Sequence, residues 1–401
     1  MTEFTKAPSN RFSRRTDWRL QPNSFTQAQR EMLASGREVL DLTLSNPTRA
    51  GFAYDSKAIL EALCNPSSLD YDPQPRGLLS ARSAIANYYR TRPNSAKVDP
   101  DAIVLTTSTS EGYSYVMRLL ANPGDEILVP RPSYPLFEFL ADLQDVKLAP
   151  YQLIYDHGWQ IDFDSVRKAT SARTRAAIVV HPNNPTGSYV SSTEQQQLND
   201  FFREREIALM VDEVFLDYAL DEVARPSFAA NQEVLTFTLS GLSKISALPQ
   251  MKVAWIATSG PEELASAALA RLEVIADTYL SMNAPLQLAI PVLLEQKSTI
   301  QPQLLERVRA NLSELDSGLA AHPACRRLQV EGGWYAVLRV PVTQADNELA
   351  IALLREQAVL VHPGHFYDFE REGHFVLSLI TRPKQFREGV RRFLSSLQRT
   401  S

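Results

Sequence analysis

The sequence predicts an α/β protein with a large domain on a mostly parallel, seven-stranded sheet and a smaller α+β domain. Three observations carry this. From about residue 100, short apolar runs alternate with helical patterns, as in a parallel sheet covered on both faces. After about residue 300 the order changes to one long helix followed by strands and helices in mixed succession. At 401 residues the chain also exceeds the length at which single cores stop growing.

The elements follow in order. Residues 1–50 read as a polar N-terminal arm, with an amphipathic helix around Ser24 to Ser35 and a short strand, Val39 to Leu44, that completes the smaller domain. The large domain is expected over 51–298. Its strands are Ile103 to Thr106, Glu126 to Pro130, Val146 to Tyr151, Ala176 to Val180, Ile207 to Val211, Val234 to Leu239 and Val253 to Ala257. Helical patterns such as Ser110 to Ala121, Thr193 to Arg203 and Pro261 to Tyr279 lie between them. The small C-terminal domain is expected over 299–401. It begins with a helix from Gln303 to Leu319 and has strands near Leu328 and at Trp334 to Val340. A helix at Asp346 to Gln357, a strand at Phe375 to Ile380 and an amphipathic helix at Lys384 to Leu397 complete it.

Composition narrows the function. The chain is 44% apolar and 22% charged, the balance of a soluble globular protein. A net charge of −5 with both signs interspersed gives no footprint for nucleic acid. Cys64 and Cys325 have neither metal nor redox spacing, so no metal is expected and a reducing, cytoplasmic setting is. Met1 to Leu20 lacks the apolar core of a signal peptide. The apolar stretch Tyr279 to Leu294 is broken by Asn283, Pro285, Gln287 and Pro291, and reads as a packed helix, not a membrane span. No Gly-x-Gly-x-x-Gly follows a strand, which argues against a nicotinamide dehydrogenase. The short N-terminal arm leaves no room for a helix-turn-helix, which argues against a regulator that only senses a cofactor.

Ligands of doubly wound sheets sit beyond the carboxyl ends of the strands, and four stretches there carry chemistry. Thr106-Thr107-Ser108-Thr109-Ser110-Glu111-Gly112 places small hydroxyls at a helix start, which suits a phosphate or a plain N-cap. Tyr134 stands in the stiff turn Pro130-Arg131-Pro132-Ser133-Tyr134-Pro135, where it stacks on a planar ligand or simply packs. His181-Pro182-Asn183-Asn184-Pro185-Thr186-Gly187 is a rigid turn presenting an amide. Met210-Val211-Asp212-Glu213-Val214-Phe215 ends an apolar strand in an acid pair; Asp212 there either caps a helix or needs a cationic partner. Downstream, Leu239-Ser240-Gly241-Leu242-Ser243-Lys244 ends another strand in a lone lysine, one of only nine in the chain. Desolvation there lowers an amine's affinity for its proton and makes it a nucleophile; a surface loop lysine is the ordinary alternative.

The order and spacing of these signals are more telling than any one of them. Asn184 is followed by Asp212 after 28 residues, Lys244 after 32 more and Lys252 after another 8. With Ser45-Asn46-Pro47-Thr48, Tyr71 to Gly77, Ser281-Met282-Asn283, Gly332-Gly333-Trp334 and Val361-His362-Pro363-Gly364, the series spans nearly the whole chain. In these motifs the chain resembles the class I/II aminotransferases, pyridoxal-phosphate enzymes of fold type I that include aspartate aminotransferase.

The resemblance implies pyridoxal 5'-phosphate as cofactor and a role for each residue. Lys244 corresponds to the lysine that holds the cofactor as a Schiff base, the internal aldimine, and then shuttles the substrate proton. Asp212 corresponds to the carboxylate that keeps the pyridine nitrogen protonated. Asn184 corresponds to the donor to the phenolic oxygen and Tyr134 to the ring that stacks on the cofactor. Ser108, Thr109, Ser110, Ser243 (or Ser240) and Lys252 correspond to the phosphate site. Tyr71 matches the tyrosine that reaches the partner subunit's phosphate, which implies a homodimer with shared sites.

Three departures qualify the carry-over. Phe215 stands where a tyrosine is usual, and loss of that hydroxyl should raise the pKa of the lysine-bound cofactor. Lys252 replaces an arginine fork with a point charge. The arginine expected to bind the substrate carboxylate, just before Leu377-Ser378, is Val376. Arg382 is then the nearest basic candidate, although it also reads as a solvated residue at a helix start, and Asn46 is a further candidate to face the substrate. The function implied is transfer of an amino group between an amino acid and a 2-oxo acid by a ping-pong route. A lyase or decarboxylase on the same scaffold is the alternative that Val376 keeps open.

Overall fold

The computed structural model describes residues 12–397, except 19, 93–95 and 224. The outermost parts of the expected arm and small domain, residues 1–11 and 398–401, lie outside the described residues.

The chain opens with α1 (Ser24–Ala34), β1 (Leu40–Asp41), α2 (Ser56–Ala62) and α3 (Leu79–Arg90). The large sheet begins with β2 (Ile103–Thr106), α4 (Thr109–Leu120), β3 (Glu126–Arg131) and α5 (Phe137–Gln144). It goes on through β4 (Lys147–Tyr155), β5 (Trp159–Ile161), α6 (Phe163–Ala169), β6 (Thr174–Val180) and α7 (Ser192–Arg203). Then come β7 (Ala208–Asp212), β8 (Thr236–Gly241), the short α8 (Leu242–Ile245), β9 (Ala254–Ser259), α9 (Glu262–Tyr279) and α10 (Ala284–Glu295). The remainder is α11 (Lys297–Leu319), β10 (Arg326–Arg327), β11 (Tyr335–Arg339) and α12 (Asp346–Gln357). β12 (Val359–Leu360), β13 (His362–Pro363), β14 (His374–Ser378) and α13 (Pro383–Leu397) end it.

The large sheet has the order β2-β9-β8-β7-β6-β3-β4-β5. The five central strands β8, β7, β6, β3 and β4 run parallel, while β9 is antiparallel to both of its neighbours. All seven strands that the hydrophobic runs predict are present. An eighth, β5, folds back on β4 through a tight turn at Asp156–Gly158, too short a signal to stand out from the sequence.

The central strands are apolar on both faces because both faces are covered. On one side α4, α5 and α9 bring Val116, Leu140 and Leu272 against Ile178, Met210 and Leu239. On the other, Phe202 of α7 packs with Val179 and Val211, while Ile85 of α3 and Leu293 of α10 pack with Leu105 and Trp255. At about 25 cal/mol per Å² of apolar surface, such a sheet is held chiefly by its faces.

The smaller part is an antiparallel sheet, β10-β11-β14-β13, packed with α1, α11, α12 and α13. The expected strand at Val39 to Leu44 is shorter than its apolar pattern suggests. Only Leu40–Asp41 is strand, paired in parallel with β12; Leu42 N still donates to Leu360 O (3.0 Å), but Leu42 O accepts from Ser378 N (2.7 Å), and Asp41 Oδ1 accepts from Thr43 N (2.7 Å) and Thr43 Oγ1 (2.6 Å).

The two parts meet where the parallel strands end. Gly332 N donates to Gly187 O (2.9 Å), Gly333 N to Tyr218 O (3.0 Å) and Ser133 N to Tyr367 O (2.9 Å). A Cβ on Gly332 would lie 2.7 Å from the Tyr189 ring and 2.8 Å from Tyr218 O, so the approach requires glycine.

Candidate active site

A cavity of about 460 Å³ opens at the carboxyl ends of β3, β6, β7 and β8. Its floor comes from the large sheet: Ser108, Thr109 and Ser110 after β2, Tyr134 after β3, Asn184 after β6, Asp212 at the end of β7, and Ser243 and Lys244 after β8. Its opposite wall comes from the smaller part: Thr43, Ser45, Tyr335, His362, Phe366 and Tyr367.

The turn from β8 into α8 places the lysine. Gly241 is packed so closely that a Cβ would lie 2.7 Å from Val253 O, and the chain passes there directly into α8. Tyr218 Oη donates to the carbonyl of Lys244 (2.6 Å), fixing that turn. The Lys244 ammonium lies 4.8 Å from the centre of the Trp334 ring and 5.3 Å from that of Phe215. Burial pulls its pKa down to about 8, with the charge of Asp212 opposing. A larger fraction is therefore neutral near physiological pH than for a solvated lysine.

Asp212 faces the cavity from the last position of β7. Val214 N donates to its Oδ1 (3.0 Å) and Tyr113 Oη to its Oδ2 (3.2 Å). Burial pushes its carboxyl up to about 6, while those two hydrogen bonds and the charge of Lys244 favour the ionised form. Two opposite charges are thus held in one pocket, each dearly desolvated. Such a carboxylate is suited to a further cationic partner in the cavity.

The start of α4 supplies a third feature. Ser108 caps the helix through Glu111 N (3.2 Å), and the Glu111 carboxylate turns back to Thr107 N (2.7 Å) and to Ser281 Oγ (2.9 Å). The amides of Thr109 and Ser110, in the first turn, have no intrahelical acceptor and stand at the positive end of a 12-residue helix. The site thus fits an anion there. A fourth feature is Asn184, whose buried Oδ1 has no hydrogen-bond partner although the residue lines the cavity. The two ends of its amide are interchangeable by a flip, so it presents either a donor or an acceptor.

An acid, an amine, an unpartnered amide and an anion-binding helix start therefore converge on one pocket large enough for a phosphorylated ring. The profile described as aminotransferase class I and II matches residues 38–393. The chain belongs to this family. The relatives agree. It is 27% identical to the glutamate-pyruvate aminotransferase AlaA of Haemophilus influenzae, over 90% of this chain and 91% of that one. It is 29% identical to an alanine aminotransferase of Mycobacterium bovis, over 87% of this chain and 83% of that one. Among solved structures, the alanine aminotransferase of Pyrococcus furiosus superposes with a TM-score of 0.84 at 25% identity, covering 94% of this chain and 96% of that one. This protein is thus an aminotransferase, and its relatives favour transamination over the lyase or decarboxylase chemistry. Aminotransferases of this family use pyridoxal phosphate.

Within this aminotransferase, the structure treats the expected residues unequally. Lys244, Asp212, Asn184, Tyr134, Ser108, Thr109, Ser110 and Ser243 line the one cavity. Lys252 is not among its lining residues. It is exposed, in the left-handed conformation that ends the turn Pro249–Met251. Tyr71 is 85% exposed and lies on a second cavity, lined by residues of 67–78 and 276–288. Two candidates for the substrate do not line this cavity. Asn46 does not line the cavity, because its Oδ1 accepts from Thr48 N (3.0 Å) and Thr48 Oγ1 (2.7 Å) and caps the turn Pro47–Arg49. Arg382 is exposed and rests beside Gly51 and Arg307, away from the cavity lining. Val376 is buried in β14, as its strand pattern requires.

Other residues of the site escaped the sequence reading. Tyr113 reaches Asp212 from α4; its position four residues after Thr109, on the same helix face, was the available signal. His362, Tyr335 and Tyr367 also line the wall, and Tyr335 sits in an apolar run that reads as core.

Proposed function

We propose that this aminotransferase binds pyridoxal 5'-phosphate in the cavity between its two parts and exchanges amino groups between a small amino acid and a 2-oxo acid by a ping-pong route. The observation that carries the reading is the convergence of Asp212, Lys244, Asn184 and the first-turn amides of α4 on one 460 Å³ cavity. The bound cofactor supplies an electron sink for the negative charge that develops at the substrate α-carbon.

The protein's residues do the rest. Asp212, held by Val214 N and Tyr113 Oη, would be the counter-charge for a protonated ring nitrogen. Lys244 Nζ would hold the cofactor, and its amine is the group placed to take a proton from the substrate α-carbon and to return one. The amide of Asn184 would donate to the cofactor's phenolic oxygen, and Tyr134 would cover one face of its ring. Thr109, Ser110, Ser108 and Ser243 receive the phosphate at the helix start, and Lys252 adds a cation outside the cavity lining. The small volume, together with relatives named for alanine, glutamate and pyruvate, supports small substrates of those classes.

The remaining expectations belong to the same proposal. Residues 51–298 form the cofactor-binding body, and 1–50 with 299–401 form the substrate-side cap. The outward exposure of Leu69 and Tyr71 beside the second cavity supports a homodimer with shared sites, and the two free cysteines suit a cytoplasmic setting. The test is to load the protein with pyridoxal phosphate and follow its visible absorbance while adding alanine or glutamate alone. Loss of the band, and its return on adding pyruvate or 2-oxoglutarate, is expected. A band that persists while ammonia or carbon dioxide is released would overturn the reading.

A further inference from the structure

The substrate end of the cavity contains no arginine; among its described lining residues Lys244 is the only lysine or arginine. The place where the resemblance leads one to expect a guanidinium is Val376, in β14. Its register partner across the antiparallel pair with β13 is His362. Directly opposed residues of such a pair send their side chains to the same face of the sheet, with Cβ atoms roughly 5 Å apart. His362, unlike the fully buried Val376, lines the cavity.

We propose that His362 is the specificity-determining residue that receives the α-carboxylate of the substrate, donating a hydrogen bond from Nε2 where related chains are expected to use arginine. This rests on the reading of the cavity given above and names the group at its substrate end.

The surroundings of His362 fit this role. Its Nδ1 lies 3.2 Å from Tyr367 Oη. With the Tyr367 hydroxyl donating to Nδ1, the tautomer this role requires, the ring proton rests on Nε2. Tyr367 is held in turn, since its carbonyl accepts from Ser133 N (2.9 Å) in the loop that carries Tyr134. The Phe366 ring, 5.5 Å away centre to centre, limits rotation of the imidazole. Burial keeps the imidazole neutral, with a pKa near 4, and the nearby Asp41 opposes that shift. The Asp41 carboxylate is occupied by Thr43 N and Thr43 Oγ1, which leaves Ser45 as the other hydroxyl of this wall. The carboxylate therefore meets neutral donors and aromatic edges in place of a bidentate cation. That predicts looser binding and more tolerance of substituents than a guanidinium fork gives.

The experiment is a titration of the pyridoxal-phosphate-loaded protein with propionate, a carboxylate without an amino group, read by calorimetry. His362→Phe is expected to weaken binding by roughly tenfold, the value of one hydrogen bond to a charged group. His362→Gln, which keeps a donor, should stay within about threefold of the natural protein, and it also guards against a folding defect in the first variant. Arg382→Ala should bind propionate unchanged. In turnover, the His362→Phe loss should fall on KM for the amino acid more than on kcat. If His362→Phe binds propionate as tightly as the natural protein, or if Arg382→Ala alone loses it, the inference is wrong. A natural protein that takes up no pyridoxal phosphate overturns the reading of the cavity itself, and this inference with it.

Discussion

The floor and the wall of the cavity differ in how they are built. On the floor, each functional side chain stands within a few residues of the end of a parallel strand: Asp212 on β7, Asn184 four residues past β6, Lys244 three past β8. Their places are set by the sheet, so the sequence spacing between them maps directly onto space. On the wall, His362, Tyr335, Phe366 and Tyr367 come from short antiparallel strands and a turn, and β1 and β12 bring Thr43 and Ser45 near by a pairing of segments more than 300 residues apart. No local pattern encodes that meeting. The lesson is that a site anchored on parallel-strand ends is readable from a sequence, and one assembled by distant pairing is not.

The largest expected effect tests the floor. Lys244→Ala should lower turnover by at least roughly a thousandfold, since the proton-moving amine is lost. Steady-state rates with the alanine and 2-oxoglutarate pair measure it, and a rate within tenfold of the natural protein's would show that another amine acts. Asp212→Asn should come next, with a loss of roughly a hundredfold or more and no loss of fold by circular dichroism. The same variant separates charge from hydrogen bonding, because asparagine still accepts from Val214 N.

A pH profile sharpens the floor further. The pKa of Lys244 is lowered to about 8, so its amine loses its proton well below the usual lysine range. Below pH 8 the neutral fraction falls about tenfold per unit, and above it the fraction saturates. The initial rate of pyridoxal phosphate uptake by the cofactor-free protein should therefore rise through pH 6 to 8 and flatten above. A rise that continues to pH 10 would mean that Lys244 is not desolvated. Tyr113→Phe removes one donor to Asp212 and should cost activity by roughly threefold to tenfold, read as kcat.

The wall yields the smallest effects, and they break the comparison if they come out large. Asn46→Ala removes the cap of the turn Pro47–Arg49 and should cost about 1 kcal/mol of stability in urea unfolding, with KM for the amino donor nearly unchanged. A KM raised tenfold or more would place Asn46 at the substrate after all.

Much of the fold was legible because its strands announce themselves. β2, β6, β7 and β9 are mostly apolar and mostly buried on both faces, and α13 carries a clear amphipathic period. The hairpin that adds β5 was not legible, because three residues give no period. Asn46 caps a turn for a chemical reason: an asparagine before Pro-Thr is equally a cap and a ligand, and here its Oδ1 is taken by Thr48. Arg382 lies off the cavity lining because β14 ends at Ser378 and the chain then turns into α13, which begins at Pro383. His362 was quoted in a motif but given no role, since an imidazole between Val361 and Pro363 reads as backbone packing until its register with Val376 is known.

The central claim is that Lys244 is the amine that holds the cofactor on the floor of this cavity. The most direct measurement is reduction of the pyridoxal-phosphate-loaded protein with borohydride, followed by peptide mapping by mass spectrometry. The account predicts a single pyridoxyl-modified site at Lys244, lost in Lys244→Ala. Modification at Lys252, or an even spread over surface lysines, would contradict it.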